Sequence, residues 1–210
     1  MTEIEQSNTI KSGFQNELFQ QLEGLFEVYL LKDIREKLRK KLKTLEKMIK
    51  GEINTKFANK LEAFKIISTE KNHKFKELML RLEPRYNIFK LVRELKNNQQ
   101  YLNNLDKERR KRHVDADQYE ITKGYYLQKL IDIHESVDQL KEGAITYYQK
   151  LKGDLIMLED RRIRLTTEKL RKKITKEEFK DKSNGIEVLK HNLEEKLAFL
   201  KVEIIDLEIE

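Results

Sequence analysis

The sequence contains no cysteine and no tryptophan, and its 210 residues include only one proline and seven glycines. The lack of cysteine excludes disulfide bonds, thiolate nucleophiles and zinc sites built on cysteine. The scarcity of proline and glycine removes the residues that most often interrupt regular structure or form tight turns. Glu, Lys and Leu are abundant instead, and because all three favour helices, long helices are expected.

Long apolar runs are also missing. No stretch approaches the roughly 20 apolar residues that a membrane-spanning helix needs, and the opening MTEIEQSNTIKSGFQ lacks the basic and apolar regions of a secretory signal. Hydrophobic residues make up 38% of the chain and charged residues 39%, which suits one apolar stripe per helix better than a thick core. We therefore predict a soluble, cytoplasmic protein, with a location peripheral to a membrane as the alternative.

Apolar residues recur at steps of three and four along most of the sequence, which is the pattern of amphipathic helices. The alternation is most regular between Tyr126 and Leu151, where it indicates a coiled coil. Its apolar positions are Tyr126, Leu130, Ile133, Val137, Leu140, Ala144, Tyr147 and Leu151. The sequence therefore predicts an all-α fold of elongated antiparallel helical hairpins forming a coiled coil.

Three regions are expected along the chain. Residues 1–13 are predicted to be a flexible N-terminus, and residues 14–112 a long amphipathic helical arm that continues through Gly51. Pro84 should kink or break this arm within 68–84, because proline lacks a backbone donor and restricts the residue before it. Residues 113–210 are predicted to form a helical-hairpin coiled coil with turns near 113–116 and 173–176.

Two stretches sixty residues apart share one pattern for ending a helix and starting the next. They read KRHVDADQY (111–119) and RKKITKEEF (171–179). In each, basic residues and a β-branched residue precede a side chain able to cap a helix, Asp115 or Thr175, and a Gln or Glu follows at the capping-box spacing. An aromatic residue then completes a hydrophobic staple. The repetition predicts two tight hairpins and suggests an internal duplication.

The net charge of +7 is concentrated in Arg35–Lys50, Lys107–Arg112 and Arg161–Lys173. Such an excess favours an acidic partner, either an anionic membrane surface or a nucleic acid. A nucleic acid is the less favoured partner, since no aromatic residues interleave with the basic run REKLRKKLKTLEKMIK to stack on bases. The alternative interpretation of this run is a solvated helix face that binds no partner. The basic surface candidates are Arg35, Arg39, Lys40, Lys43, Arg109, Arg110, Lys111, Arg112, Arg171, Lys172 and Lys173.

The segment FQNELFQQLEGLFEVYLL (14–31) is apolar on more than one helical face. A helix that inserts into a membrane surface would carry Lys or Arg beside its apolar stripe, whereas the flanking charges here are acidic. We therefore expect burial against other helices, either of this chain or of a partner protein. The partner-interface candidates are Phe14, Leu18, Phe19, Leu22, Leu25, Phe26, Tyr29 and Leu30.

We find no catalytic motif in the sequence. There is no glycine-rich phosphate loop and no Ser/His/Asp arrangement, and the four histidines lack companions at metal-ligand spacing except in HVDAD (113–117). The alternate residues of that stretch do not share a helical face, and capping already accounts for Asp115. We predict no catalytic residues, no cofactor and no metal site.

The helix tips carry a family resemblance. LRKKITKEEF (170–179), and more loosely KRHVDADQY (111–119), resemble the helical core of ESCRT-I subunits, in which a basic helix end is followed by Ile or Val, a capping residue, acids and an aromatic residue. The resemblance implies a non-catalytic subunit of an assembly in membrane remodelling or protein sorting. The sequence therefore predicts a coiled-coil scaffold or adaptor with protein partners, in a homo- or hetero-oligomer. The alternatives are a membrane-curvature-binding helical dimer of BAR type, an ESCRT-III-like filament subunit and, third, a nucleic-acid-associated coiled coil.

Overall fold

The computed structural model describes residues 3–51 and 55–208, and side-chain surroundings for 15–49 and 57–208. In this part of the chain, five long helices lie in antiparallel pairs, which confirms the all-α class. They are α1 (Glu3–Gly51), α2 (Thr55–Arg81), α3 (Ile88–Arg110), α4 (Ala116–Leu170) and α5 (Lys176–Phe199); a 3-10 turn spans Pro84–Tyr86 and a π-helical turn spans Leu200–Ile205. The chain forms two compact units, residues 1–87 and 88–210.

In the first unit, α1 and α2 form an antiparallel pair. Arg35 on α1 donates a hydrogen bond from Nε to Asn72 Oδ1 on α2 at 2.5 Å, and its guanidinium carbon lies 4.0 Å from the centroid of the Phe75 ring. The prediction of one helix continuing through Gly51 was wrong, because α1 ends there and α2 starts at Thr55 in the opposite direction. Glycine is a poor helix former, and the reversal lets two apolar faces bury each other.

Pro84 follows closely after the end of α2. The helix stops at Arg81, and Glu83 has an extended backbone (φ −63°, ψ 138°), as expected for a residue that precedes proline. Its backbone N–H donates to Gln21 Oε1 on α1 at 3.0 Å, so a donor freed from the helix keeps a partner. The break lies inside 68–84, whereas the boundary between the two units falls at residues 87–88, within the stretch 14–112 that was grouped as one arm.

In the second unit, α4 is paired from both ends. Near its start it contacts α3, where the Tyr119 hydroxyl donates to Asp106 Oδ1 at 2.8 Å. Near its end it contacts α5, where Arg162 and Glu187 form an ion pair at 3.2 Å. With 55 residues, α4 is about 82 Å long. The turns that precede and follow it therefore lie at opposite ends of one long helix.

The middle of α4 is the most deeply buried part of the second unit. The π-helical turn contacts α4 here, and Lys141 Nζ donates to the carbonyl oxygen of Leu207 at 2.5 Å. Leu140 and Ile204 are completely inaccessible to solvent. The buried side chains of α4 are Ile133, Val137, Leu140, Ala144, Tyr147, Leu151, Leu158 and Leu165. The predicted coiled-coil stripe is thus buried from Ile133 onward, while Tyr126 and Leu130 are half-buried.

Candidate functional site

The apolar segment near the start of α1 is largely used by the protein's own fold. Its candidates Leu18, Leu22, Leu25 and Phe26 are buried, at 5%, 1%, 0% and 4% exposure, so their assignment to a partner surface needs correction. Phe19, Tyr29 and Leu30 are half-buried, and the side chain of Phe14 lies outside the described residues. Sequence periodicity marked these positions as buried but could not say which chain buries them.

The basic run on α1 contains one structural arginine and several exposed cations. Arg35 is half-buried and bound to α2 as described, whereas Arg39, Lys40 and Lys43 are exposed. Lys40 Nζ lies 2.8 Å from Glu36 Oε1, and this hydrogen bond lowers the pKa of the Glu36 carboxyl. Exposed pairs of this kind contribute little to stability. The run therefore presents a mostly solvated helix face.

The turns at the two ends of α4 have the same backbone geometry. We name residues 104–116 the first tip and residues 164–176 the second tip. Arg112 and Lys172 adopt left-handed backbones, with φ of 60° and 55°. Each is followed by the hydrogen bonds of a Schellman motif: in the first tip, His113 N donates to Glu108 O and Arg112 N to Arg109 O, both at 3.0 Å, and the second tip repeats them at the positions sixty residues later.

The helices that leave the tips start with the predicted caps. Asp115 accepts a hydrogen bond from Gln118 N at 2.8 Å. Thr175 forms the complete capping box, donating its backbone N–H to Glu178 Oε2 at 2.9 Å and accepting from Glu178 N at 3.2 Å. The backbone bond from Thr175, aided by its hydroxyl, lowers the pKa of the Glu178 carboxyl. These local bonds satisfy N–H groups that a helix start leaves unpaired, which is why sequence spacing could predict them.

The aromatic residue that follows each tip by three positions, Tyr119 or Phe179, has a cation near its ring. The Arg109 guanidinium carbon lies 6.0 Å from the Tyr119 ring centroid, and Lys169 Nζ lies 4.0 Å from the Phe179 centroid. Both rings are half-buried, as a hydrophobic staple requires. Arg109 Nη1 also donates to Val114 O at 3.0 Å, so this basic candidate is structural.

The remaining charges distinguish the two tips. In the first tip, Lys111 Nζ lies 2.8 Å and His113 Nδ1 2.7 Å from the Glu108 carboxylate, and both contacts lower the pKa of that carboxyl. The first tip has five Lys and Arg against three Asp and Glu, whereas the second has six against one. Arg171 and Lys173 are exposed, and no ion pair to either is found among the described residues. The second tip is therefore the more strongly cationic of the two.

A second apolar face on α4 was missed by the sequence analysis. We define the outer stripe as Leu127, Ile131, Ile145, Ile156 and Ile163, which are 43%, 51%, 46%, 65% and 64% exposed. Their separations of 4, 14, 11 and 7 residues are close to whole numbers of helical turns, so they share one face. Ile145 follows the buried Leu140 by five residues, or about 140° around the axis. Attention to steps of seven and eleven could have found this stripe.

Among the described residues, no group of three His, Asp or Glu side chains gathers as ligands for a metal ion; within HVDAD, His113 contacts Glu108 and Asp115 caps α4. None of the helices in residues 3–51 and 55–208 combines the length and the hydropathy that a membrane crossing requires.

No protein-family model matches the sequence, and no curated protein and no solved structure matches it either.

Arg112→Gly and Lys172→Gly are each expected to raise the free energy of unfolding by about 1 kcal/mol, because glycine has no Cβ to strain a left-handed backbone. Urea unfolding followed by circular dichroism measures the change. Arg112→Ala and Lys172→Ala are the matched controls, since they remove the same charge and keep the strain. A glycine variant no more stable than its alanine control would contradict the prediction.

Proposed function

We propose that the protein is a non-catalytic coiled-coil scaffold that self-assembles through the outer stripe of α4. The observation that carries this proposal is that α4 is apolar on two faces. One face is buried by the rest of the second unit, and the other places five large aliphatic side chains in solvent along most of the helix. Large apolar side chains exposed together on one helical face are candidates for a protein interaction site.

The dimensions of the stripe suit a helix-to-helix interface. From Leu127 to Ile163 the stripe covers about 54 Å of helix. A contact about 10 Å wide along that length buries roughly 540 Å² on each partner, or about 1,100 Å² in total, which is just above the minimum of about 1,000 Å² for a biological interface. Polar residues interrupt the stripe, among them His134 and Asp138, and polar groups at such positions favour one register over others.

A second copy of this chain is the occupant that we propose. Most soluble oligomers are symmetric, and a two-fold interface joins one surface to itself. An antiparallel arrangement that sets Ile145 of one copy opposite Ile156 of the other also sets Ile156 opposite Ile145. The two-fold axis of such a dimer passes between these two residues, so that the Ile145–Ile156 pair occurs twice in the interface.

The test removes apolar surface from the stripe without introducing charge. Ile145→Ser/Ile156→Ser should weaken self-association at least about 100-fold, since each isoleucine contributes on the order of 1.4 kcal/mol or more when buried. Size-exclusion chromatography with light scattering over a range of concentrations measures the effect. The matched control is Ile121→Ser/Met157→Ser, which removes apolar side chains that are 74% and 56% exposed on a different face of α4.

Three results would decide the question. Dissociation of the stripe variant alone supports the proposal. A wild-type protein that remains monomeric at every concentration contradicts it, and equal dissociation of both double variants would show association without use of the stripe. Circular dichroism should show unchanged helicity in both variants, because all four side chains are largely exposed.

The resemblance to ESCRT-I core subunits extends the proposal to an assembly in membrane remodelling or protein sorting. Its support is confined to residues 111–119 and 170–179, where the pattern follows from helix capping that many helical hairpins share. Co-purification from native cells as a stable complex of fixed stoichiometry would support this extension.

A further inference from the structure

The second tip combines exposed cations with an exposed apolar side chain. Leu170, the last residue of α4, is 78% exposed. Arg171, Lys172 and Lys173 follow it directly and are exposed as well. Glu168 is the only carboxylate within residues 164–176, against six Lys and Arg. A surface that presents an apolar side chain beside a cluster of cations suits a partner that can take both features.

The first tip supplies an internal comparison. It has the same Schellman turn and a cap at the same position, but Arg110 stands where the second tip has Leu170. Three of its side chains are engaged by neighbours, with Lys111 and His113 on Glu108 and Arg109 on the Val114 carbonyl, while Arg110 and Arg112 are exposed. Helix reversal therefore requires neither the exposed leucine nor the larger excess of cations over carboxylates that the second tip has.

The chemistry of the second tip fits the surface of an anionic bilayer. Lysine and arginine near such a surface are attracted to the lipid phosphates and to acidic headgroups, and an aliphatic side chain gains by entering the boundary between headgroups and acyl chains. A nucleic acid would also attract the cations, but it offers no comparable apolar layer for Leu170.

We propose that the second tip docks on anionic phospholipid membranes, with Leu170 inserted among the headgroups and Arg171, Lys172 and Lys173 facing the lipid phosphates. Leu170 follows Ile163 of the outer stripe by seven residues and so continues the same face of α4, but the proposal does not require self-association. The partner of the second tip is the lipid surface as a whole, not a single phosphate ion.

Sedimentation with lipid vesicles tests the proposal on the full chain. Wild-type protein should pellet with vesicles of phosphatidylcholine and phosphatidylserine, and it should not pellet with phosphatidylcholine alone. Lys172→Glu/Lys173→Glu should lower the apparent affinity at least tenfold. The matched control is Arg112→Glu/His113→Glu, which changes the equivalent positions of the first tip and should alter the affinity by less than twofold.

A second pair of variants tests the apolar part of the contact. Leu170→Ser should weaken vesicle binding about tenfold, and the binding that remains should become more sensitive to salt, because only the charge attraction is left. Arg110→Ser, at the equivalent position of the first tip, should leave the affinity within twofold of the wild type. Circular dichroism spectra that match the wild type show that the variants are folded.

Four outcomes would overturn the inference. The first is a wild-type protein that does not pellet with the acidic vesicles, and the second is an equal loss of vesicle affinity in the variants of both tips. The third is displacement of the bound protein by millimolar inorganic phosphate at constant ionic strength. The fourth is binding of duplex DNA or RNA that depends on Lys172 and Lys173 and outcompetes the vesicles. Displacement by phosphate would indicate a simple anion site, and the last outcome a nucleic-acid site.

Discussion

Leu140→Asp is expected to lower the free energy of unfolding of the second unit by about 4 kcal/mol or more. Leu140 lies in the middle of α4 and has no exposed surface. Truncating a buried leucine alone typically costs 2–5 kcal/mol, and the aspartate adds the cost of placing a charge in an apolar site. Since a domain is stable by only about 5–15 kcal/mol, this change should leave the unit unfolded or close to unfolding.

Thermal melting followed by circular dichroism at several urea concentrations measures this effect. Gln139→Asp is the matched control, because Gln139 is the preceding residue of the same helix and is exposed. It introduces the same carboxylate on the solvent side and should change the stability by less than about 0.5 kcal/mol. A Leu140→Asp protein that melts like the wild type would show that this face of α4 is not packed in solution.

Ile204→Ala is expected to destabilise the second unit by about 3 kcal/mol. Ile204 belongs to the π-helical turn after α5 and is completely buried. Removing three carbon atoms there leaves a cavity that the surrounding helices cannot fully close, which is the usual cause of losses of 2–5 kcal/mol. The result would establish that the segment after α5 is part of the core.

The same turn supplies the control for Ile204. Val202 is 64% exposed although it lies only two residues away, so Val202→Ala should change the free energy of unfolding by no more than about 0.5 kcal/mol. Urea unfolding curves of the two variants give the comparison directly. Similar losses from both, or a loss from neither, would contradict the packing of this turn against α4.

Local chemistry made the hairpin tips the most predictable part of the fold. The caps at Asp115 and Thr175 depend on residues within three positions of them, so spacing in the sequence was enough to locate them. The left-handed backbones of Arg112 and Lys172 were not predicted, because glycine is the residue that usually adopts this conformation at the end of a helix. The π-helical turn likewise has no composition that distinguishes it from an α-helix.

Predictions failed where the outcome depends on distant parts of the chain. A single Gly51 is compatible with a continuing helix as well as with a reversal, and only the pairing of α1 with α2 decides between them. Periodicity marked Leu22 and Leu25 for burial, but it cannot tell an internal contact from one with a partner. The outer stripe escaped notice because Asp138 and other polar residues interrupt it and the stronger stripe through Leu140 dominates the pattern.

The uninterrupted course of α4 also has a mechanical consequence. Its backbone is one continuous column of hydrogen bonds from Ala116 to Leu170, so tension or bending applied at one turn is carried to the other without a hinge to absorb it. Partners bound at the two ends of α4 are therefore kept about 82 Å apart, because the helix is a rigid spacer and not a flexible linker.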